Sequence, residues 1–284
     1  MNELLNDNKV STVQSYLREH LSSRYDEREA AQITDALFAH FFSWSRADLV
    51  MQRNERISES EILKLHFALK RLKKGEPLQY ITQTAYFRGD AYFVSPAVLI
   101  PRPETEELVS LVLEKNTSPT ASILDVGTGS GCIPLSLQKA LPQAYIAAVD
   151  VSADALDVAK KNASLLQRSV DFSLCDILQS APEKTDWDII VSNPPYVLES
   201  DKAQMSEHVL AHEPHLALFV PDTDALRFYR RLFQLTASHL KSGGYLICEI
   251  HESQGAALVE MSHGTAQIVK DIAGKDRFFL YRKP

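Results

Sequence analysis

The sequence predicts a protein of the α/β class, with a mostly parallel sheet preceded by a small all-helical domain. Two observations support this prediction. Up to about residue 80, apolar residues recur at helical spacing and strand-like alternation does not occur. From about residue 121, short β-branched runs alternate with longer helical segments, which is typical of a parallel sheet wrapped by helices.

The helical part contains two clear amphipathic segments. Residues 27–50 place apolar side chains on one helix face without an interrupting glycine or proline, which predicts a helix over this span. A second helix begins at Ser58-x-x-Glu61, a capping box, and ends in basic residues before Gly75. We therefore predict a helical domain at residues 1–76.

Residues 77–106 are predicted to connect the two domains, with a hairpin as one candidate structure. The segment is rich in aromatic residues and proline. Pro101-Arg102-Pro103 is expected to exclude both a helix and a central strand, because proline fixes φ and lacks an N–H group. One interpretation is a packed connector, and the other places this rigid segment beside a ligand.

The second domain, residues 107–284, is expected to alternate strands and helices. Strands are predicted at 121–126, 144–150, 170–175, 187–192 and 245–250, followed by a closing hairpin at 266–272 and 277–282. Helices are predicted at 132–141, 153–166 and 224–240. The strands at 170–175 and 187–192 are apolar enough to be buried on both faces.

Composition excludes several classes of protein. The chain has 284 residues and a net charge of −7, and its apolar stretches are shorter than the ~18–20 residues of a membrane helix. The polar N-terminal segment lacks the pattern of a signal peptide. Three dispersed cysteines argue against a disulfide framework or a zinc site and favour the cytoplasm. The first 80 residues carry 12 basic and 12 acidic side chains, which leaves no basic surplus for nucleic acid.

A glycine-rich loop follows the first strand of the second domain. Gly127, Gly129 and Gly131 open a helix in the order G-x-G-x-G, where the backbone can approach a ligand closely. The dinucleotide pattern G-x-G-x-x-G would instead need glycine at Cys132. Asp150 ends the next strand, where a carboxylate can accept hydrogen bonds from ribose hydroxyls. These features favour S-adenosylmethionine over NAD, and a structural turn without a ligand is the remaining alternative.

The strand at 187–192 leads directly into Asn193-Pro194-Pro195-Tyr196. The two prolines remove two N–H groups, so the loop presents acceptors without competing donors. The Asn193 side-chain oxygen and the Pro194 carbonyl can accept both hydrogens of a planar NH₂ group, and Tyr196 can lie against its face. Asn193, Pro194 and Tyr196 are therefore the catalytic candidates. They would act by orienting a poor nucleophile towards a sulfonium methyl, with no need of a metal.

These motifs resemble those of S-adenosylmethionine-dependent methyltransferases that modify planar NH₂ groups, which include DNA adenine N6, RNA guanine N2 and protein glutamine N5 enzymes. Further segments resemble the release-factor glutamine N5-methyltransferases. They are GEPLQYIT at 75–82, VLIPRPETE at 98–106, EPHLAL at 213–218, FYRR at 228–231 and DIAGKDR at 271–277. The resemblance runs from about residue 60 to the C-terminus and more loosely through the helical domain.

The resemblance implies a Rossmann-like methyltransferase domain with a seven-stranded, mostly parallel sheet and an antiparallel C-terminal hairpin. The implied substrate is the glutamine of the Gly-Gly-Gln motif in class-1 peptide chain release factors, which the helical domain would help to recognise. S-adenosylmethionine would leave as S-adenosylhomocysteine. We expect a cytoplasmic monomer without a metal ion, a nucleic-acid partner or membrane contact. The implied cofactor-binding residues are Gly127, Thr128, Gly129, Ser130, Gly131, Asp150, Ile177 and Asn193, and the implied substrate-binding residues are Asn193, Pro194, Pro195 and Tyr196.

The chain departs from the family pattern at several positions. Gln83 and His251 stand where glycine is usual, Ile177 and His212 where an aromatic is usual, and residues 220–222 replace a Gly-rich turn. Two other functions stay open. A nucleic-acid amino-methyltransferase (adenine N6 or guanine N2) would have the same Asn-Pro-Pro-Tyr sequence. A non-catalytic release-factor-binding module is the third, although it would need neither that sequence nor the glycine loop.

Overall fold

A computed structural model describes residues 7–284 of the chain, except for the side chain of Glu207. Residues 1–6, at the start of the predicted helical domain, lie outside the described residues. The chain forms two compact units that divide between Gln83 and Thr84. Within residues 7–284, no helix combines the length and the apolar character that crossing a membrane requires.

The first unit is built from helices that share one apolar core. The helices are α1 (Val10–Leu21), α2 (Glu27–Phe42), α3 (Arg46–Met51), α4 (Glu59–Lys73) and α5 (Leu78–Thr82). The fully buried side chains of the core include Leu17, Leu37, Phe38, Leu65 and Leu72. As predicted, Ser58 and Glu61 form a reciprocal capping box at the start of α4, which satisfies N–H groups that a helix leaves unpaired.

The helix predicted over residues 27–50 is wrong, because the chain forms α2 and α3 instead. Ser43 ends α2 in a left-handed conformation, with φ of 60°. Ser45 then begins α3 in a capping box with Asp48, whose carboxylate accepts a hydrogen bond from the Ser45 N–H over 2.8 Å. Polar side chains therefore satisfy the backbone at this break, and neither glycine nor proline is needed for it.

The segment predicted as a connector, 77–106, contains α5, a hairpin and the start of another helix. The hairpin strands β1 (Thr84–Phe87) and β2 (Asp90–Phe93) pair antiparallel. The expectation that Pro101-Arg102-Pro103 excludes a helix is wrong, because Pro103 is the first residue of α6 (Pro103–Lys115). Proline is well tolerated there, since the first N–H of a helix has no intrahelical partner.

The rest of the second unit alternates strands and helices around one large sheet. Its remaining strands are β3 (Ser122–Val126), β4 (Tyr145–Asp150), β5 (Asp171–Leu174), β6 (Trp187–Ser192), β7 (Val197–Leu198), β8 (Phe219–Val220), β9 (Leu240–Glu249), β10 (Ala266–Lys270) and β11 (Asp276–Arg282). Its remaining helices are α7 (Cys132–Ala140), α8 (Ala153–Leu166), α9 (Glu207–His212), α10 (Arg227–His239) and α11 (Gly255–Met261), with 3₁₀ turns at Glu199–Gln204, His215–Ala217 and Asp222–Asp224.

Seven of these strands form the large sheet, in the order β10-β11-β9-β6-β3-β4-β5, while β7 pairs with β8. Within the sheet, β11 is antiparallel to both of its neighbours and the other pairs are parallel. This architecture confirms the predicted Rossmann-like α/β class with its antiparallel C-terminal hairpin. The burial predicted for 170–175 is wrong, since Asp171, Ser173 and Leu174 are exposed on β5, an edge strand with one neighbour.

The order of the strands determines where a ligand can bind. From β3 the chain continues to β4 and β5 on one side and then returns to β6 on the other side of β3. These four strands are parallel, so their carboxyl ends lie at one edge of the sheet. Open α/β sheets bind ligands at that edge, where the strand order reverses. The loops after β3, β4, β5 and β6 therefore mark the expected site.

Candidate functional site

A pocket lies at the carboxyl ends of β3, β4, β5 and β6. These ends supply residues 126–130, 150–152, 175–177 and 192–195, and further walls come from Val98, Arg102, Thr105, Pro214, Leu216 and Phe228. The pocket thus gathers most of the residues proposed from the sequence, namely Gly127, Thr128, Gly129, Ser130, Asp150, Ile177, Asn193, Pro194 and Pro195. Gly131 and Tyr196 are not among the residues that line it.

Backbone hydrogen bonds hold the glycine loop against the end of β4. The N–H groups of Gly127 and Thr128 both donate to the Val149 carbonyl, over 2.9 and 3.1 Å. Gly131 caps α7 with φ of 79°, and a Cβ there would meet the Ala159 Cβ at 3.1 Å. A Cβ on Gly129 would meet no atom within 4 Å. Gly131 therefore serves the packing of the loop on α8, whereas Gly129 faces open space.

Asp150 links the end of β4 to the glycine loop. Its Oδ2 accepts a hydrogen bond from the Gly129 N–H over 2.9 Å, and its Oδ1 accepts one from the Ser152 N–H over 2.9 Å. Burial raises the pKa of Asp150, and these two backbone donors lower it. Because each carboxylate oxygen has two lone pairs, both oxygens can still accept a hydrogen bond from a ligand.

Asp125 and Thr128 have side-chain oxygens without a hydrogen-bond partner in the described part of the chain. Asp125 is fully buried at the end of β3, and burial raises the pKa of its carboxyl to about 7. The Thr128 hydroxyl lowers that pKa and the charge of Asp150 raises it. The Asp125 carboxyl therefore lies in the interior beneath the glycine loop, with the Thr128 hydroxyl beside it, and does not line the pocket.

Asn162 of α8 supports the glycine loop, although no sequence motif includes it. Its Nδ2 donates to the carbonyls of Ser130 and Phe93, each over 2.9 Å, and its Oδ1 accepts from the Phe93 N–H over 2.7 Å. The side chain is fully buried, so its polar groups are all used to join the loop to β2. An asparagine on the apolar face of a predicted helix is the signal that indicates such a role.

The Asn-Pro-Pro-Tyr segment begins directly after β6. The Ser192 hydroxyl donates to the Val126 carbonyl over 2.7 Å and joins the ends of β3 and β6. The Asn193 Nδ2 donates to the Thr105 Oγ1 over 3.1 Å. Tyr196 has its ring outside the pocket lining, and its hydroxyl donates to the Glu249 Oε1 over 3.3 Å. Burial raises the pKa of the Tyr196 hydroxyl, so it remains a donor.

Glu249, the last residue of β9, connects these contacts. It is 1% exposed, and its Oε2 accepts a hydrogen bond from the Thr105 hydroxyl over 2.8 Å. Burial raises the pKa of Glu249 to about 7, while the Thr105 hydroxyl and the Arg277 charge lower it. We call Asn193, Thr105, Glu249 and Tyr196 the Glu249 network. An acidic residue at the end of an apolar strand is the signal for it in the sequence.

A partly buried ion pair joins two segments that line the pocket. The Arg102 guanidinium contacts the Glu213 carboxylate, whose other oxygen accepts a hydrogen bond from the Ile100 N–H over 3.2 Å. Glu213 is 4% exposed. An unpaired charge at such a position is costly, so the pair holds the segment before α6 close to the turn after α9.

Comparison with known proteins supports this description. The methyltransferase small domain family matches residues 104–218, and the PrmC N-terminal domain family matches residues 12–82. The release factor glutamine methyltransferase of Bacteroides thetaiotaomicron is 40% identical over 273 residues, which cover 94% of this chain and 98% of the relative. That of Flavobacterium psychrophilum is 40% identical over 265 residues, or 90% and 93% of the two chains.

Among solved structures, the hMettl16 catalytic domain in complex with the MAT2A 3′UTR hairpin 6 has a similar fold. Its TM-score is 0.53 at 16% identity, with 79% of this chain and 82% of that chain covered. At this identity the likeness concerns the fold alone.

The sheet order, the glycine loop after β3 and the matching domain define a Rossmann-like methyltransferase. Within that class, the chain belongs to the release factor glutamine methyltransferase family. This membership confirms the family that the sequence motifs predict.

Proposed function

We propose that this enzyme transfers the methyl group of S-adenosylmethionine to the side-chain amide nitrogen (N5) of the glutamine in the Gly-Gly-Gln motif of class-1 peptide chain release factors. One observation carries the proposal. The glycine loop, Asp150 and the Asn193–Pro195 segment line a single pocket in a chain of this family. We further propose that the enzyme acts as a cytoplasmic monomer and that its first unit helps to recognise the release factor.

The donors and acceptors around the pocket fit S-adenosylmethionine. When bound, this cofactor supplies an electrophilic methyl group on a sulfonium. We assign residues 127–130 to its close backbone contacts and the two Asp150 oxygens to its ribose hydroxyls, because each oxygen keeps a free lone pair. Ile177, buried beside the pocket, offers an apolar surface for adenine. Thr128 lines the same pocket, and Gly131 supports the loop by capping α7.

The Asn-Pro-Pro-Tyr segment is proposed to hold the substrate glutamine. The Asn193 side-chain oxygen and the Pro194 carbonyl would accept the two hydrogens of the amide NH₂ group. This arrangement orients the nitrogen, and the two acceptors stabilise the positive charge that develops on it. Pro195 stiffens the loop because its φ is fixed. Tyr196, which lies outside the pocket lining, is proposed to anchor the segment through the hydrogen bond from its hydroxyl to Glu249.

A nucleic-acid substrate is less well supported by the charges around the pocket. Of the described side chains that line it, Arg102 is the one cation, and it is paired with Glu213. Asp150 and Asp176 are acidic. Binding of a phosphate backbone depends on several free lysine or arginine side chains, which this lining lacks.

The proposal is tested by offering the enzyme competing substrates. Methyl-labelled S-adenosylmethionine is incubated with the enzyme and, in separate reactions, a release factor, duplex DNA and ribosomal RNA. We expect label on the release factor and background levels on both nucleic acids. Label on DNA or RNA would favour the amino-methyltransferase alternative, and label on none would favour a binding module without catalysis.

A further inference from the structure

The Asn193 side chain is held at one end of the Glu249 network, which contains three hydrogen bonds. The Asn193 Nδ2 lies 3.1 Å from the Thr105 Oγ1, which lies 2.8 Å from the Glu249 Oε2. The Tyr196 hydroxyl contacts the second oxygen of the same carboxylate over 3.3 Å. Thr105 is 3% exposed and Glu249 is 1% exposed, so bulk water does not compete for these bonds.

The number of protons in the Glu249 network determines the direction of its hydrogen bonds. In its ionised form the Glu249 carboxylate only accepts hydrogen bonds, so in this form the single hydroxyl proton of Thr105 is directed to Glu249. The Thr105 hydroxyl can then only accept a hydrogen bond from Asn193. Asn193 must therefore present its NH₂ group to this hydroxyl. The Asn193 carbonyl oxygen consequently points away from Thr105. With the amide reversed, this oxygen would face a hydroxyl that has no proton left to donate.

We propose that Thr105 and Glu249 are positioning residues that fix the orientation of the Asn193 amide, so that its oxygen is presented to the NH₂ group of the substrate. This inference rests on the proposed function, in which Asn193 accepts a hydrogen bond from the substrate glutamine. Neither residue needs to touch the reacting atoms. Their role is to prevent a reversed Asn193 amide, which would offer donors to a substrate group that is itself a donor.

The position of both residues agrees with such a role. Thr105 is the third residue of α6 and lines the pocket, and Glu249 ends β9 at the same edge of the sheet as Asn193. Burying a carboxylate costs free energy, which an apolar side chain there would avoid. A polar network that fixes one arrangement of a neighbouring group can offset that cost.

The decisive comparison uses two substitutions of Thr105. Thr105→Val keeps the shape but removes the hydroxyl, whereas Thr105→Ser keeps the hydroxyl and removes the methyl group. We expect Thr105→Val to lower kcat by about 10- to 100-fold, less than the loss on deleting a group that contacts the transition state directly. We expect Thr105→Ser to stay within about threefold of the wild type, and the affinity of both variants for S-adenosylmethionine to change little.

Thr236→Val is the matched control. Thr236 is also buried in the second unit, but its hydroxyl donates to the Phe233 carbonyl of its own helix, over 2.7 Å, far from the Asn193 segment in sequence. This control should keep the kcat of the wild type. If Thr105→Val retains full kcat, or if Thr105→Ser loses as much as Thr105→Val, the proposal is overturned.

A second measurement does not depend on activity. In ¹⁵N-labelled wild-type enzyme, assigned through its loss in Asn193→Ala, the Asn193 side-chain NH₂ should show one proton protected from exchange with water. Exchange as fast as that of exposed asparagines would overturn the proposal. A protected Asn193 amide in an enzyme that leaves the release factor unlabelled would instead contradict the proposed function while the orientation stands.

Discussion

The Asp150 carboxylate accepts a hydrogen bond from the Gly129 N–H over 2.9 Å, and this contact joins the carboxyl end of β4 to the glycine loop of β3. A second backbone bond, from Ser152 to the other carboxylate oxygen, fixes the plane of the group. The residue proposed to hold the ribose therefore also shapes the loop proposed to hold the rest of the cofactor.

Replacing Asp150 should consequently weaken cofactor binding by two effects. Asp150→Ala removes the proposed ribose acceptors and the bond to Gly129. At about 1.5–3 kcal/mol for a hydrogen bond to a charged group, we expect affinity for S-adenosylmethionine to fall at least tenfold. Calorimetric titration measures it. Asp171→Ala is the control, because Asp171 accepts a hydrogen bond from Tyr145 outside the pocket. Unchanged affinity in Asp150→Ala would refute the assignment.

Alanine substitutions of Gly129 and Gly131, two glycines of the same loop, should have different effects on stability and cofactor affinity. Both have positive φ, which costs alanine about 1 kcal/mol or more. In Gly131→Ala the new Cβ also meets Ala159, so thermal stability should fall more than in Gly129→Ala. In Gly129→Ala the Cβ faces open space, so the larger loss should be in cofactor affinity. Thermal melts with and without S-adenosylhomocysteine separate the two effects. The same losses in both variants would contradict this division of roles.

Removing the Asn193 side chain should affect turnover more than cofactor binding. Asn193→Ala deletes a preorganised acceptor for the substrate amide, and we expect kcat to fall by about 10²–10³. Single-turnover methylation of a release factor gives the rate, and calorimetry gives the cofactor affinity, which should change far less. Turnover near that of the wild type would show that Asn193 does not hold the substrate.

Stability should decrease as pH rises towards 7, because the pKa of Glu249 is raised to about 7 in the folded protein. Arg277, Thr105 and Tyr196 lower this pKa, and burial and Glu104 raise it. Between its unfolded value and 7, the folded state binds the proton more tightly, so ionisation destabilises it as pH increases. Urea unfolding from pH 5 to 7 should show Glu249→Gln gaining stability relative to wild type. The slope is at most about 1.4 kcal/mol per pH unit. A difference that is constant with pH would contradict the raised pKa.

The sequence predicts the parts of this site that lie close together along the chain. The order Gly127-x-Gly129-x-Gly131 after a buried strand and Asn193-Pro194 after another are local patterns, and β6 and α8 have the bounds predicted for them. The separation of α2 from α3 could not be predicted from breaker residues, because serine and aspartate side chains satisfy the backbone there.

Contacts between residues that are far apart along the chain could not be predicted from the sequence alone. Thr105 and Glu249 are 144 residues apart, and Asn162 is 69 residues from Phe93. Their pairing depends on the strand order and on how α6 and α8 pack, which a pattern of apolar residues does not specify. The exposure of β5 could not be predicted for the same reason, since the edge position of a strand depends on the order of the whole sheet.

We propose that this enzyme places the methyl group on a glutamine side-chain amide of a release factor. This proposal is tested most directly by mass spectrometry of a release factor methylated by this enzyme, with peptide fragmentation to locate the added group. The proposed function predicts one methyl group on the glutamine of the Gly-Gly-Gln motif, absent when that glutamine is changed to glutamate. A methyl group on any other residue, or an unmodified release factor beside methylated nucleic acid, would contradict it.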